Sequence, residues 1–505
     1  MRILTAKQIK KVEENAFNSG YSEAQLMKSA GTACFNRIVK LIGDLPKSSK
    51  IAVACGNGKN AGDGFVIANL LKNSGYVAEI ILADKEPQIT EPLQYYQEAL
   101  ANDVKCYNFT DVVLDHDVII DCLFGIGFHG APRPPFDSVF EMINNSNATV
   151  ISIDTPSGTN ATDGSVESAV RADYTIAVST LKFAHVLPPS NEYCGKVSTV
   201  NIGIPEECYN GVGKSPFVQT ITKSEVKSIL PKRSKNSHKG SFGRQLNICG
   251  SYLMPGAAVM CAQASLKSGV GLLKCAFPKS IYSVMTSHLV QPLFKPLCEN
   301  EEKTLSMGAL TDILEELKWA DSVVIGCGLG NNDDVQVITD QVIKTSEKPI
   351  ILDADSINAV APFIDILRDK KAPIVVTPHP GEMARLIGES TQYVQQNRIE
   401  TAKAFSSEYD VITVLKGANT VVTDGESVYV NVNGNPGMAM GGCGDMLSGM
   451  IGSLIAQGIN AFDAAKCAVY IHGFCGDVAA SELSQRGMTV NDMISVLGAV
   501  MSDFE

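Results

Sequence analysis

The sequence predicts two α/β domains in series, each built on a largely parallel sheet with helices on both faces. Three observations carry this prediction. The chain has 505 residues, which exceeds one ordinary domain and suffices for two. Short apolar runs alternate with segments of helical spacing on both sides of a central break. That break, residues 205–240, is rich in Lys, Ser, Gly and Pro, and it sets the domains at 1–220 and 221–505.

The first domain reads in order as follows. Residues 6–42 have mostly helical spacing. Residues 50–55 form a strand, followed by a glycine-rich loop and a helix through Leu71. Further strands are expected at 77–83, 118–121, 150–154 and 174–178. Strands this uniformly apolar are covered on both faces, which implies a doubly wound sheet. The second domain restarts with expected strands at 244–249, 322–325, 349–352, 374–376 and 411–415. Two long helices follow, at 444–457 and 461–483. The halves share no visible repeat.

Composition narrows the functional classes. Hydrophobic residues make up 45% and charged residues 19%, the balance of a well-buried enzyme and not of a disordered chain. The net charge of −12 argues against nucleic acid and anionic membranes as partners. The basic cluster of Lys232, Arg233, Lys235, His238 and Lys239 reads as a solvated linker. The 14 cysteines show no CxxC pair and no zinc-finger spacing, so they read as buried free thiols of a reducing cytoplasm. The N-terminal apolar run is too short for a signal peptide, and no stretch is long and apolar enough to span a membrane. The expected location is cytoplasmic.

The loop 56–64 follows a strand and opens a helix. Gly56, Gly58 and Ala61 satisfy the G-x-G-x-x-G/A fingerprint of a Rossmann-like dinucleotide site, with Glu79 or Asp84 as the downstream acid. As an isolated motif it is equally a tight turn. Asp121 and Asp154 also end strands, and each leads into a Gly-rich turn. In a parallel sheet all three strand ends lie on one edge, where ligands bind. Asn60, Asp121 and the Ser157 hydroxyl offer hard oxygens suited to an alkali or alkaline-earth cation.

Segments 56–64, 121–127 and 154–158 together resemble the NAD(P)H-hydrate epimerase family. The resemblance implies that Lys59, Asn60, Ala61, Gly62 and Asp63 hold the substrate. Gly125, Ile126, Gly127, Phe128, His129, Gly130 and Ala131 would hold it too. It implies a potassium ion on Asn60, Asp121 and Ser157, and Asp154 as substrate contact and acid–base residue. Lys59 and Ala61 stand where this family usually carries Asn and Gly.

In the second domain, residues 435–445 hold four glycines and run into a helix. Backbone N–H groups at such a helix start cradle phosphate oxygens. Asp445 then lies within reach of a hydroxyl attacking a phosphoryl group. Lys416, Gly417, Ala418, Asn419 and Thr420 follow a strand and offer lysine charge and loop amides. His379 sits at another strand's end in the run HPGE. Asp353 and Asp355 end a third strand and could support a magnesium–phosphate network. Gly211, Val212, Gly213, Lys214 and Ser215 imitate the end of a Walker A loop, but Cys208 occupies the first glycine position and Pro216 follows, so the segment reads as linker.

These segments resemble the ribokinase-like superfamily. The runs 238–243, 250–258, 326–330 and 377–382 resemble its ADP- or ATP-dependent NAD(P)H-hydrate dehydratase branch. The resemblance implies that Ala257, Gly330, His379 and Asp445 contact the hydrated dinucleotide. Lys416, Gly417, Ala418, Asn419, Thr420 and Gly444 would bind ADP or ATP with magnesium, and Asp445 would act as the catalytic base. Cys327 and Cys443 stand where Pro and Thr are usual. The expected partners are NADHX, NADPHX and the nucleotide, with assembly as a homo-oligomer such as a tetramer. Two other readings are a vitamin or sugar kinase with an appended dinucleotide-binding domain, and a first domain that serves only as a sensor or scaffold.

Overall fold

A computed structural model describes residues 1–213 and 217–505. Lys214 to Pro216 lie outside the described residues, and with them part of the Walker-like decoy. The chain forms two compact units, Met1–Phe217 and Val218–Glu505.

In the first unit a two-stranded parallel pair, β1 (Ile3–Leu4) and β8 (Leu181–Lys182), stands beside a seven-stranded sheet. That sheet comprises β2 (Lys50–Cys55), β3 (Val77–Leu82), β4 (Lys105–Asn108), β5 (Val118–Cys122), β6 (Thr149–Ile153), β7 (Tyr174–Val178) and β9 (Lys196–Val200). Its order is β4-β3-β2-β5-β6-β7-β9, and every pair is parallel. The chain winds outward from β2 to β4, then returns to β5 and winds the other way. The gap between the ends of β2 and β5 is therefore a topological switch point, where open α/β sheets bind ligands. Ile51, Val53, Ile120 and Ile151 face one apolar layer, and Ala52, Ala54 and Ile119 face another. Period-2 alternation thus buries both faces.

The expected helical stretch 6–42 is two helices, Ala6–Asn18 and Glu23–Leu41. Gly20 adopts φ +97° between them, and Ser22 caps the second helix in a reciprocal box with Gln25.

The second sheet comprises β10 (Val218–Thr220), β11 (Arg244–Ile248), β12 (Leu272–Pro278), β13 (Leu293–Leu297), β14 (Ser322–Ile325), β15 (Ile350–Leu352), β16 (Ile374–Val376), β17 (Ile412–Leu415), β18 (Val421–Thr423) and β19 (Val428–Val430). Its order is β10-β19-β18-β17-β16-β15-β14-β11-β12-β13. Only the β17-β18 and β18-β19 pairings are antiparallel. Here the chain winds from β11 to β13, then returns to β14, so the switch point lies between β11 and β14. Helices Pro255–Lys267, Cys443–Ala456 and Ala461–Leu483 pack one large core against this sheet. Gly449 permits the close crossing: a Cβ there would lie 2.2 Å from the Cys261 carbonyl oxygen.

Candidate functional sites at the two switch points

The first switch point opens into a cavity of about 870 Å³. Lys59, Asn60, Asp63, Gly125, Ile126, Gly127, Phe128, His129, Ala131 and Asp154 all line it. Ala61, Gly62 and Gly130 do not. Ala61 is wholly buried in the core, and a Cβ on Gly62 would meet the Met27 sulfur at 2.3 Å, so these two serve helix packing. Gly56 permits another close approach, since its Cβ would lie 2.4 Å from the Leu123 carbonyl oxygen. The helix Lys59–Asn73 begins at Gly58 with no side-chain cap, which leaves its first N–H groups available to an anion. Asp84 accepts from Asn57 at 3.2 Å at this edge. Glu79 lies within β3 and pairs with His116 at 3.4 Å, away from the edge.

Asp154 adopts φ +70°, a left-handed conformation that turns the chain sharply after β6. Its carboxylate pairs with Lys182 and accepts from Val178 N at 3.1 Å. Lys182 is 1% exposed and also donates to the carbonyls of Val178 at 2.7 Å and Thr180 at 3.0 Å. His185 braces the same turn from below. Its Nδ1 accepts from Lys182 N at 3.0 Å, so Nε2 carries the proton and donates to the Asp154 carbonyl at 2.8 Å. Burial and the Lys182 charge lower His185 to about 4, which keeps it neutral. Asp63 and Glu13 add two carboxyls to the cavity. Burial, then Asp154 and Glu13, push Asp63 well above the usual carboxylate range. Glu13 is raised by burial, with Lys59 opposing and Asp154 reinforcing the shift. Lys182, His185 and Glu13 were not anticipated. The only sequence signal for the first two is a Lys-x-x-His run closely following the β7 strand.

Asp121, Asn60 and Ser157 come together behind this cavity. The buried Asp121 carboxylate accepts from Ser157 Oγ at 2.5 Å, Ser152 Oγ at 2.7 Å, Ser157 N at 2.9 Å and Leu123 N at 3.2 Å. Asn60 donates to the carbonyls of Phe124 at 2.8 Å and Ile153 at 3.3 Å. Burial raises the Asp121 carboxyl despite these hydrogen bonds. Lys59 forms an ion pair with Glu23 at 2.5 Å.

The second switch point gathers Asp353, Lys416, Asp445, Cys327 and Glu382. The buried Asp353 accepts from Lys416 Nζ and Thr377 Oγ1, each at 2.7 Å, and from Ser448 Oγ at 2.8 Å. These bonds hold the carboxylate against the lysine, and Cys327 Sγ lies 3.7 Å from its Oδ2. Asp355 accepts from Gly330 N at 2.8 Å. Burial opposes the Lys416 charge, but Asp353 and Glu382 raise its pKa above the ordinary value. Asp445 lies in the first turn of helix Cys443–Ala456, whose N-cap Gly442 adopts φ +98° and provides no side-chain cap. Burial, followed by Cys327 and Asp353, pushes Asp445 up to about 9. A Cβ on Gly444 would lie 3.2 Å from Lys416 Nζ, so the helix start runs close to the lysine.

His379 caps helix Pro380–Ile387 by accepting from Gly381 N at 3.0 Å and Glu382 N at 3.2 Å through Nδ1. Its Nε2 edge stays half exposed. Burial and Lys416 lower its pKa, favouring the neutral form. Gly417 and Ala418 are exposed beyond β17, and Asn419 takes φ +58° in the same turn. The buried Arg398 holds this turn by donating to the carbonyls of Leu415 at 3.0 Å and Lys416 at 3.1 Å. It was not anticipated, since nothing in its own helix marks it. Ala257 and Gly330 flank the same switch point.

Two α/β switch-point sites on one chain, one with a dinucleotide-type loop and one with a phosphate-type helix start, define a fused two-centre enzyme. Comparison with known proteins sharpens this. Residues 23–184 match the family described as YjeF-related protein N-terminus, and residues 246–498 match NAD(P)H-hydrate dehydratase. The chain is 33% identical over 494 residues to the bifunctional NAD(P)H-hydrate repair enzyme of Moorella thermoacetica, covering 95% of this chain and 92% of that one. It is 34% identical to the enzyme of that name from Coxiella burnetii, over 98% of each. A ribokinase-like superfamily protein from Enterococcus faecalis shares the second unit's fold, with a TM-score of 0.51 and 24% identity, over 57% of this chain and 96% of that one. The chain belongs to the bifunctional NAD(P)H-hydrate repair enzymes. No helix among the described residues is long and apolar enough to cross a membrane.

Proposed function

We propose that the first unit interconverts the R and S epimers of NAD(P)H hydrate, and that the second converts the S epimer to NAD(P)H using ADP or ATP. The observation that carries this reading is Asp445. It forms no ion pair among the described residues and lies on an uncapped helix start that faces Lys416.

In the second cleft the N–H groups of helix Cys443–Ala456 and the Lys416 charge receive the nucleotide's phosphates. Asp445 takes the proton of the C6 hydroxyl as that oxygen attacks the terminal phosphorus, leaving AMP from ADP or ADP from ATP. The phosphate then departs with the C6–O bond, C5 loses a proton, and the nicotinamide double bond is restored. The neutral His379 presents its Nε2–H to the substrate, and Ala257 and Gly330 leave room for the ring. Gly417, Ala418, Asn419 and Thr420 give an exposed turn for the nucleotide. The hard-oxygen carboxylates behind the cleft are engaged, which fits a magnesium ion that arrives on the phosphates and keeps mostly water and phosphate ligands. Bound there, it would neutralise phosphate charge.

In the first cavity Asp154, fixed by Lys182 and the His185 brace, is positioned for proton transfer at the ring. Phe124, Phe128 and Phe136 offer an aromatic wall for it. The oxygens of Asp121, Ser157 and the Phe124 and Ile153 carbonyls suit a potassium ion, with the Asn60 amide turned so that its oxygen joins them. Such an ion would supply the positive charge that the buried Asp121 lacks.

The test is recovery of reduced-nicotinamide absorbance from a mixed-epimer hydrate with ADP and magnesium. Full recovery with release of inorganic phosphate supports the reading. A stable phosphoester product would overturn it in favour of a kinase.

A further inference from the structure

The second switch point holds a feature that the proposed reaction does not use. Cys249 lies just beyond β11, Cys327 just beyond β14, and Cys261 in the helix Pro255–Lys267 that crosses them. All three are buried, and their sulfurs lie within 4.8 Å of one another. Asn247 donates its side-chain N–H to Cys261 Sγ at 3.3 Å. Cys327 belongs to a second cluster as well, with Asp353 and Asp445, again within 4.8 Å. Asp353 is saturated by Lys416, Thr377 and Ser448. Asp445 is not.

We propose that Cys249, Cys261 and Cys327 form a site for a thiophilic d10 cation such as zinc, with the Asp445 carboxylate as its fourth ligand. Three soft sulfurs select such a cation over magnesium or potassium. Zn–S bonds of about 2.3 Å put sulfurs on one tetrahedral zinc about 3.8 Å apart, a spacing inside the 4.8 Å within which these three sulfurs lie. Binding displaces the thiol protons to solvent, and no electron is transferred. The half-buried Asp445 connects the thiols to the cleft, so the cation reaches them from the nucleotide side. Its binding takes Asp445 out of service and stops dehydration without touching the first cavity. That consequence rests on Asp445 being the base of the proposed reaction.

The probe is cadmium, titrated into the full chain while the ultraviolet sulfur-to-cadmium charge-transfer band is followed. The band saturates at one equivalent and reverses on addition of excess zinc. Cys261→Ser and, separately, Cys249→Ser weaken binding by no less than the roughly 10–100-fold typical of lost ligand support. Cys298→Ser, at an exposed thiol, leaves it unchanged. Thermal melts without metal confirm that each variant folds. One equivalent of zinc also halts NAD(P)H formation while epimer interconversion continues. No saturable band, or equal binding by Cys261→Ser and Cys249→Ser, overturns the site. A normal band with undiminished dehydration overturns Asp445 as the fourth ligand. Because the band is read without turnover, a chain lacking dehydratase activity would still report the site.

Discussion

Each cleft contains one buried aspartate–lysine pair, yet the two pairs are arranged in opposite ways. In the first, the paired carboxylate is Asp154, which itself faces the cavity, and Lys182 lies behind it. In the second, Lys416 is spent on the buried Asp353, and the carboxyl nearer the cleft, Asp445, has no cation of its own. The placement of one lysine therefore decides which cleft-facing carboxyl has an ion-pair partner and which is left unpaired with raised proton affinity. A paired, braced carboxylate suits repeated proton exchange at a ring. An unpaired one with raised proton affinity suits removal of a hydroxyl proton.

The largest effect expected from breaking this contrast is at Asp445. Asp445→Asn lowers dehydration by about 10²–10⁴-fold in the absorbance assay, the range of a lost general base, and spares epimerisation. Asp154→Asn gives the mirror result, with loss of R-to-S conversion measured by chromatography and dehydration of pure S hydrate retained. The third prediction follows from proton affinity. With Asp445 at about 9, roughly 1% is ionised at pH 7, so dehydratase kcat/KM rises about tenfold per pH unit and levels off above pH 9. The same raised value means that Asp445 favours the folded state below the unfolded carboxyl's pKa, an advantage lost progressively as pH rises to about 9. Asp445→Asn therefore raises the melting temperature at pH 8 even as it removes activity. In the first unit, Lys182→Ala strands a mostly buried carboxylate and costs about 3–5 kcal/mol in denaturant unfolding. The smallest effect is at Lys59, whose exposed pair with Glu23 is worth about 0.2–1 kcal/mol. Lys59→Asn changes epimerase KM by about fivefold or less.

The same contrast explains what was legible in the sequence. The loops 56–64 and 435–445 announce themselves because a phosphate or dinucleotide loop is built from consecutive residues. The central strands were legible because both of their faces are apolar. Edge strands such as β9 and β13 were not, since their burial is partial and mixed. Lys182 and Arg398 escaped because their partners, Asp154 and the Leu415–Lys416 carbonyls, are brought to them only by folding. The hydrogen-bond network on Asp353 was hidden for the same reason: three hydrogen-bonding side chains from separate segments converge on it. The cysteines read correctly as free and mostly buried, but the convergence of three on one switch point has no local spacing to reveal it.

The central claim is that two independent chemistries sit in the two clefts. It is tested most directly by following both hydrate epimers chromatographically with the full-length Asp445→Asn protein, ADP and magnesium. The account predicts rapid equilibration of R and S with no enzyme-dependent formation of NAD(P)H. Loss of both activities together in a folded variant, or continued NAD(P)H formation, would contradict it.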